Sequence, residues 1–370
     1  MQLVTSSGET INLRAEYDKE LHVFSLSADS YDDSIAYLPV LDFRPDELRS
    51  YDKKNYEIYL LYNKREDYGE NSIFQVRAKD RADKDNRIGW IFPIQALESC
   101  EHEYAKNIYF LKYAFIAIQK LLEYSQKCID EIECRDVMLS DLYTMEETVL
   151  LIDKENAAEL ADFHINDYVV SLYSYGYSFC GNGNLFQSCN TPGDSSLHIK
   201  PISMDLKHIP YFSPLYREQI PIAEENISRF HLFYQIIEIL IAEIFNLEFR
   251  EIVDTIHTAG IEIDLFEKRE DLVALENERN RVKKLFHRYT RIPVDDSRVL
   301  LTACNKLLQL HGKLPRDDAG EGLYDIRCLL VHRCYVLSND EYRLLSGIND
   351  VLSSIVSQMV MSFKKNMDVT

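Results

Sequence analysis

Arg327 and His332 are separated by four residues inside an otherwise apolar run, residues 323–335. An arginine keeps its positive charge at physiological pH and binds phosphate oxygens through the two prongs of its guanidinium. A histidine titrates near neutral pH and can accept or donate a proton. Together these two side chains could cleave a phosphodiester without a metal ion, with the 2′-hydroxyl of RNA as the nucleophile.

The spacing limits how the pair can act. On an ideal helix five residues turn through about 500°, which leaves the two side chains about 140° apart. One helix cannot readily aim both at the same phosphate, so the spacing favours a dimer or a distorted helix. The alternative is structural: Arg327 pairs with Glu238 or Asp325, and His332 is a satisfied helix histidine.

Two further side chains would support the pair. Glu238, on an apolar helix, is either the partner that orients Arg327 or an isolated interior carboxylate, and pairing is favoured because buried charges need partners. Tyr335 follows His332 by about one turn and is either a donor to a substrate phosphate or a packed tyrosine.

Five helical segments would position these residues. Apolar positions recur at helical spacing over residues 229–249, 271–292, 297–312, 323–337 and 340–365. The first is apolar nearly all round, as is typical of an interior helix of a bundle. The third ends at Gly312, and Asn339 or Asp340 is the predicted cap of the last.

Two of these helices carry a resemblance to a known family. The sequence YDIRCLLVH at 324–332 and the sequence YQIIE at 234–238 resemble motifs of the HEPN superfamily, over residues 225–370. The resemblance implies an all-α bundle, a metal-independent ribonuclease of toxin or antiviral systems, and a dimer in which two motifs meet across a cleft. It makes Arg327 and His332 the predicted catalytic residues, with Glu238, Tyr335 and Cys328 in support. Catalytic members commonly carry a polar residue, often Asn, where this chain has Cys328, and a thiol is a weak hydrogen-bond partner.

Charge and cysteine spacing exclude several classes of protein. The net charge of −20 argues against a general nucleic-acid coat, since phosphate binding requires clustered Lys and Arg. Residues 221–370 hold 19 basic and 24 acidic residues, so most of the negative charge belongs to the N-terminal part. RNA contact is therefore expected to be local, through Arg281, Lys283, Lys284 and Arg288. None of the eight cysteines forms a CxxC pair, and neither a metal nor a cofactor is predicted.

The N-terminal part is predicted to be a mixture of strands and helices. Short segments rich in Tyr, Phe, Ile and Val indicate strands at 21–28, 34–43, 56–63, 72–78, 87–94, 168–179 and 197–204, with a helix at 104–132. Three prolines place a linker at 207–223. The predicted fold class is α+β: a β-rich N-terminal domain at 1–206, which is either one unit or 1–98 plus 99–206, followed by an all-α HEPN-like bundle at 224–370.

These expectations combine into one predicted function and one alternative. The first is a metal-independent endoribonuclease of a bacterial toxin or anti-phage system, cutting RNA (tRNA among the candidates) at a homodimer cleft, with the N-terminal domain sensing a trigger or binding a partner protein. The alternative is a non-catalytic HEPN fold used for dimerisation, scaffolding or nucleotide binding. No signal peptide is recognisable and Glu238 and Glu243 interrupt the longest apolar stretch, so the predicted location is the cytoplasm, without a membrane.

Overall fold

In the computed structural model the described residues are 2–5, 10–18, 23–28, 34–37, 53–79, 85–99, 101–124, 126–129, 139–160, 162–181, 192, 195–259, 265–333 and 337–365. The chain is α+β, as predicted, with strands in its first part and mostly helices in its second. It divides into two compact units. Unit 1 comprises residues 1–164, 176–181 and 191–200, and unit 2 comprises residues 165–175, 182–190 and 201–370.

Unit 1 contains two sheets. Its strands are β1 (Gln2–Thr5), β2 (Thr10–Asp18), β3 (Val23–Ala28), β4 (Ser34–Tyr37), β5 (Tyr56–Asn63), β6 (Phe74–Lys79), β7 (Asp85–Pro93), β8 (Gln126–Ile129), β9 (Glu147–Asp153), β10 (Tyr177–Ser178) and β11 (Ser196–Ile199). One sheet has the order β4-β3-β2-β1-β8 and the other the order β10-β5-β9-β7-β6-β11. The strands pair antiparallel except at β1–β8 and β6–β11, which are parallel.

The core of unit 1 lies against the second sheet. Helix α1 (Ile108–Tyr124) packs its aromatic face on β7, where the ring centroids of Trp90 and Phe110 are 5.6 Å apart. Every residue of β9 is buried, as is usual for a central strand. Gly89 of β7 permits close approach of β9, because a Cβ there would lie 1.9 Å from the carbonyl oxygen of Leu151.

Two short helices belong to unit 1 besides α1, and the helices of unit 2 are mostly longer. They are α2 (Leu139–Leu142) and α3 (Lys154–Ala158) in unit 1, then α4 (Ile165–Ser174), α5 (Asn226–Ala259), α6 (Leu265–Glu276), α7 (Glu278–Lys284), α8 (Val294–Leu310), α9 (Ala319–Arg333) and α10 (Asn339–Ser362). Helix α7 continues into a π-helical turn, Leu285–Tyr289. The five predicted helical segments of the C-terminal part are therefore confirmed, with the second one divided.

One prediction about the middle of the chain is wrong. Residues 168–179 are not one strand: most of them belong to α4, and only Tyr177–Ser178 is extended. Seven of the ten residues of α4 are buried, so tertiary packing overrides the weak strand preference of Tyr and Val. The proline-rich segment predicted as a linker, 207–223, has local structure of its own. It forms helical turns over Phe212–Ile222, with Phe212, Leu215, Tyr216 and Ile220 buried.

The division into units differs from the predicted boundaries at 206 and 224. Helix α4 and residues 201–223 group with the C-terminal helices, while residues 176–181 and 191–200 group with the sheets. Proline is compatible with the packed helical turns because a proline in the first turn lacks only an N–H that would have no partner there. The chain consequently passes between the units more than once before residue 201.

Two helix ends show how local sequence sets the boundaries. Helix α8 stops before Gly312, which has a φ of +67° and lets the Lys313 N–H bond back to the carbonyl of Leu308. Helix α10 begins with a capping box: the side chain of Ser338 accepts from the Glu341 N–H, and the Glu341 carboxylate accepts from the Ser338 N–H. The cap is therefore Ser338, one residue before the predicted Asn339.

Two helices of unit 2, α5 and α10, are long and apolar enough to cross a membrane by length and composition. Of their most apolar windows, 44% and 56% respectively are buried inside the protein, and core helices of soluble proteins pass the same test. A location in the cytoplasm stays a prediction.

Candidate active-site groove

Asp325 fixes the rotation of helix α9. Its buried carboxylate accepts a hydrogen bond from Arg279 of α7 at 2.6 Å and another from Arg316, just before α9, at 2.7 Å. The apolar residues of α9 that enter the core are Leu323, Ile326, Leu329 and Leu330. When Asp325 holds its two arginines and these four apolar residues are buried, Arg327, which follows Ile326, faces α5.

Arg327 lies between a carboxylate and an aromatic ring. Its Nη2 donates to Oε1 of Glu238 at 3.3 Å, and its guanidinium carbon lies 5.7 Å from the centroid of the Tyr234 ring. The predicted Arg327–Glu238 pair is thus confirmed, although Glu238 is half exposed rather than interior. The side chain of Arg327 keeps 25% of its surface exposed, so the guanidinium is held in place and still accessible.

An open groove of about 380 Å³ passes over this guanidinium. Its lining residues are Ser228, His231, Leu232, Tyr234, Gln235 and Glu238 from α5, and Arg327 and Val331 from α9. Positions 228, 231, 235 and 238 recur at intervals of three and four, which places them along one face of α5. Arg327 and Val331 are one turn apart on the facing helix. The groove is therefore formed by two long, packed helices rather than by loops.

The groove keeps Arg327 charged and Tyr234 neutral. Burial and the neighbouring carboxylate of Glu278, to which the Tyr234 hydroxyl donates at 3.2 Å, raise the pKa of Tyr234 far above its usual value. Partial burial lowers the pKa of Arg327. The nearby carboxylates of Glu278 and Glu238 raise it by more, so the net effect is a raised pKa for Arg327. A fixed cation beside a phenol suits the binding of an anionic group such as a phosphate.

His231 also lines this groove, and the Arg-x4-His spacing did not identify it. Partial burial, then the charge of Arg327, lower the pKa of His231, while Glu238 opposes them. The imidazole is consequently neutral at pH 7. The sequence did contain a signal, because His231 precedes Glu238 by seven residues, or about two turns on one face of a helix.

His332 has a different environment. It is exposed near the end of α9, and in the described part of the chain it has no hydrogen-bond or ion-pair partner. It is not among the residues that line the groove, in keeping with the 140° separation from Arg327. Cys328 is half-buried beside Tyr324, whose pKa is raised by burial and then by this thiol. Tyr335 lies outside the described residues.

The four predicted RNA-binding residues all make intramolecular contacts. Arg281 donates to the carbonyl of Leu275, and Lys283 pairs with Glu321 at 3.2 Å. Lys284 and Arg288 both pair with the buried Glu248, at 2.5 and 3.4 Å.

The four side chains differ in how exposed they are. Lys283 and Arg288 keep 50% and 59% of their side chains exposed, whereas Arg281 and Lys284 are more enclosed. His287, which follows Arg281 by six residues, is bonded to Asp318 at 2.5 Å.

Among the described residues, no group of three or more His, Cys, Asp and Glu side chains is placed to hold a metal ion. No protein-family model, curated protein or solved structure matches the chain. The resemblance to HEPN proteins therefore rests on the motif residues at 234–238 and 324–332.

Proposed function

We propose that unit 2 is a HEPN-type endoribonuclease that cuts RNA by attack of the 2′-hydroxyl, without a metal ion. The observation that supports this most is the position of Arg327, which Glu238 and Tyr234 hold at the wall of an open groove. A guanidinium in that position can bind two phosphate oxygens and stabilise the negative charge that develops as the phosphorus becomes five-coordinate.

The reaction also needs proton transfer. The 2′-oxygen forms a bond to phosphorus, the bond from phosphorus to the 5′-oxygen breaks, and the products are a 2′,3′-cyclic phosphate and a free 5′-hydroxyl. His332 is the proposed proton donor to the departing 5′-oxygen, because imidazole is the side chain that most often transfers protons in catalysis and His332 is exposed. It does not line the groove of its own chain, which favours a homodimer in which His332 of one copy reaches the groove of the other.

The setting follows from the same proposal. The substrate is RNA, with tRNA among the candidates, and the protein acts in the cytoplasm as a toxin or in anti-phage defence. Unit 1 senses a trigger or binds a partner protein that restrains the nuclease. Its mostly antiparallel sheets and aromatic core form a separate folded body suited to such a role.

The test is cleavage of total RNA by the full-length purified protein in EDTA, compared with Arg327→Ala and His332→Ala. Cleavage is expected to leave cyclic phosphate ends and to fall at least about 100-fold in each variant. Arg343→Ala is the matched control, because Arg343 is 85% exposed on α10 and pairs with Asp340 one turn away. Folded Arg327 and His332 variants that cut like the wild type, or cleavage that requires Mg²⁺, would refute the proposal.

A second candidate function is a non-catalytic HEPN fold that serves as a dimerisation or scaffolding module. The ion pairs favour it: Arg327, Lys283, Lys284 and Arg288 are each engaged by a carboxylate of the same chain. A scaffold would leave RNA intact under all conditions and would keep its biological activity in the Arg327→Ala variant.

A further inference from the structure

The proposed cleavage needs a base as well as an acid, and one histidine cannot serve both roles in the same step. Removal of the 2′-hydroxyl proton and donation to the 5′-oxygen occur on opposite sides of the phosphorus, because the attacking and leaving oxygens lie roughly in line. Arg327 cannot accept the proton, since a guanidinium is always protonated in proteins. A second group in the groove that can accept a proton would supply the base.

His231 is the histidine that shares the groove with Arg327. It lies on the wall formed by α5, one turn from Ser228 and about two turns from Glu238. The imidazole is solvent-accessible, so a ribose could approach it, and the facing wall presents the guanidinium. A phosphate bound by Arg327 would therefore lie in the same groove as His231.

The surroundings of the imidazole set its protonation. The charged groups that act on it are Arg327 from α9 and Glu238 from its own helix. Tyr234 lines the same groove and is uncharged, with its hydroxyl bonded to Glu278 of α7. Partial burial and Arg327 lower the pKa of His231 by more than Glu238 raises it. The ring is therefore neutral at pH 7 and able to accept a proton.

We infer that His231 is a second catalytic residue of this groove and acts as the general base on the 2′-hydroxyl, an inference that rests on the proposed nuclease function. The 2′-hydroxyl proton passes to the free ring nitrogen of His231 as the 2′-oxygen bonds to phosphorus. The electron pair of the broken bond stays on the 5′-oxygen, which takes its proton from His332. His231 then returns its proton to water in the open groove and His332 takes a proton from water, so both histidines recover their starting states.

The first experiment measures the pKa of His231 by NMR titration of the full-length protein. Arg327→Gln removes the nearby cation and is expected to raise the pKa of His231, whereas Glu238→Gln removes the nearby anion and is expected to lower it. His257, exposed near the other end of α5, is the internal control in all three proteins.

A nucleotide probe adds a second readout to the same titration. A mixture of the four nucleoside 3′-monophosphates should raise the pKa of His231 in the wild type and leave His257 unchanged, because a bound phosphate favours the protonated ring. If the two substitutions shift His231 in the same direction, or if the nucleotides leave His231 unshifted, the inference is wrong.

The second experiment measures RNA cleavage as a function of pH. Wild-type kcat/KM should rise with pH through the lowered pKa of His231, because a general base must be neutral. In His231→Ala this rise of kcat/KM with pH should disappear, and the rate should fall at least about 100-fold. Added imidazole should restore part of the rate. His257→Gln is the matched control.

The outcomes separate the two proposals. A wild type that cuts RNA together with a His231→Ala variant that cuts equally well removes the role of His231 and leaves the nuclease. A wild type that leaves RNA intact removes both.

Discussion

Asp325 and Arg279 form a 2.6 Å ion pair between helices α9 and α7, two residues before the arginine of the groove. The same carboxylate also binds Arg316 at 2.7 Å, and its side chain is only 6% exposed. The motif arginine therefore owes its direction to a neighbouring buried carboxylate that holds two other arginines. This relationship connects the stability of the helical unit to the geometry of its groove.

Replacement of Asp325 by Asn is expected to destabilise unit 2 by about 3 kcal/mol, the low end for breaking a buried ion pair, because both arginines keep partial contact with water. Urea unfolding followed by far-UV circular dichroism measures the change. Asp340→Asn is the control, since Asp340 is 88% exposed and its pair with Arg343 should contribute less than about 1 kcal/mol. Equal midpoints for the two variants would contradict the structural role of Asp325.

Glu341 makes the stability of unit 2 depend on acid pH. The N–H of Ser338 lowers the pKa of Glu341 most; burial opposes this, and the nearby His311, 3.0 Å away, lowers the pKa further. Because the folded-state pKa lies below the ordinary value of 4.5, the carboxylate stabilises the fold above that pH, and the contribution is lost as the pH falls through the folded-state pKa.

The corresponding prediction concerns Glu341→Gln. Unfolding experiments at a series of pH values should show the wild type losing more stability than Glu341→Gln between about pH 5 and about pH 3. Glu251→Gln, an exposed position on α5, should follow the wild type. Parallel curves for all three proteins would show that the capping carboxylate has no such effect.

Gly89→Ala should destabilise unit 1 by about 3 kcal/mol, the upper end for overpacking, because the new Cβ would meet the Leu151 carbonyl oxygen at 1.9 Å. Trp90 is the single tryptophan of the chain and is fully buried in this unit, so its fluorescence reports the unfolding of unit 1. Gly69→Ala, where no atom lies within 4 Å of the new Cβ, is the matched control. The prediction fails if both variants unfold at the wild-type denaturant concentration.

Lys283 and Arg288 are expected to be the phosphate contacts among the four predicted RNA-binding residues, because they are the most exposed of them. The double replacement by Ala should weaken RNA binding and reduce the dependence of log K on log salt by about 1.4, or about 0.7 for each contact with a single strand. Fluorescence anisotropy at several salt concentrations measures this slope. An unchanged slope would assign both side chains to intramolecular ion pairs alone.

The sequence predicts the helices of the C-terminal part well because their apolar spacing and end signals agree. Gly312 marks the end of α8 and the capping sequence at 338–341 marks the start of α10. Over residues 168–179 tyrosines alternate with small residues, which predicts a strand, yet a short segment of this kind can also form a buried helix such as α4. Its conformation depends on what surrounds it, and single-sequence patterns do not contain that information.

The groove was predictable only in part, for a related reason. The Arg327–Glu238 pair could be proposed because an arginine and a glutamate on two apolar helices need partners. The motif at 324–332 does not include His231, because a motif is a run of neighbouring positions, whereas this groove joins two helices that are distant in sequence. The exposed position of His332 depends on how α9 is rotated, which Asp325 and its arginines decide.

The interleaving of the two units has a consequence for how they can be separated. Helix α4 is synthesised within the unit 1 sequence, yet its Tyr173 packs at 5.1 Å on the ring of Tyr216 and its hydroxyl accepts from Ser353. A fragment that begins at residue 201 would lack this helix and leave an apolar gap. A continuous segment of chain that contains all of unit 2 must therefore begin at or before residue 165, and it carries part of unit 1 with it.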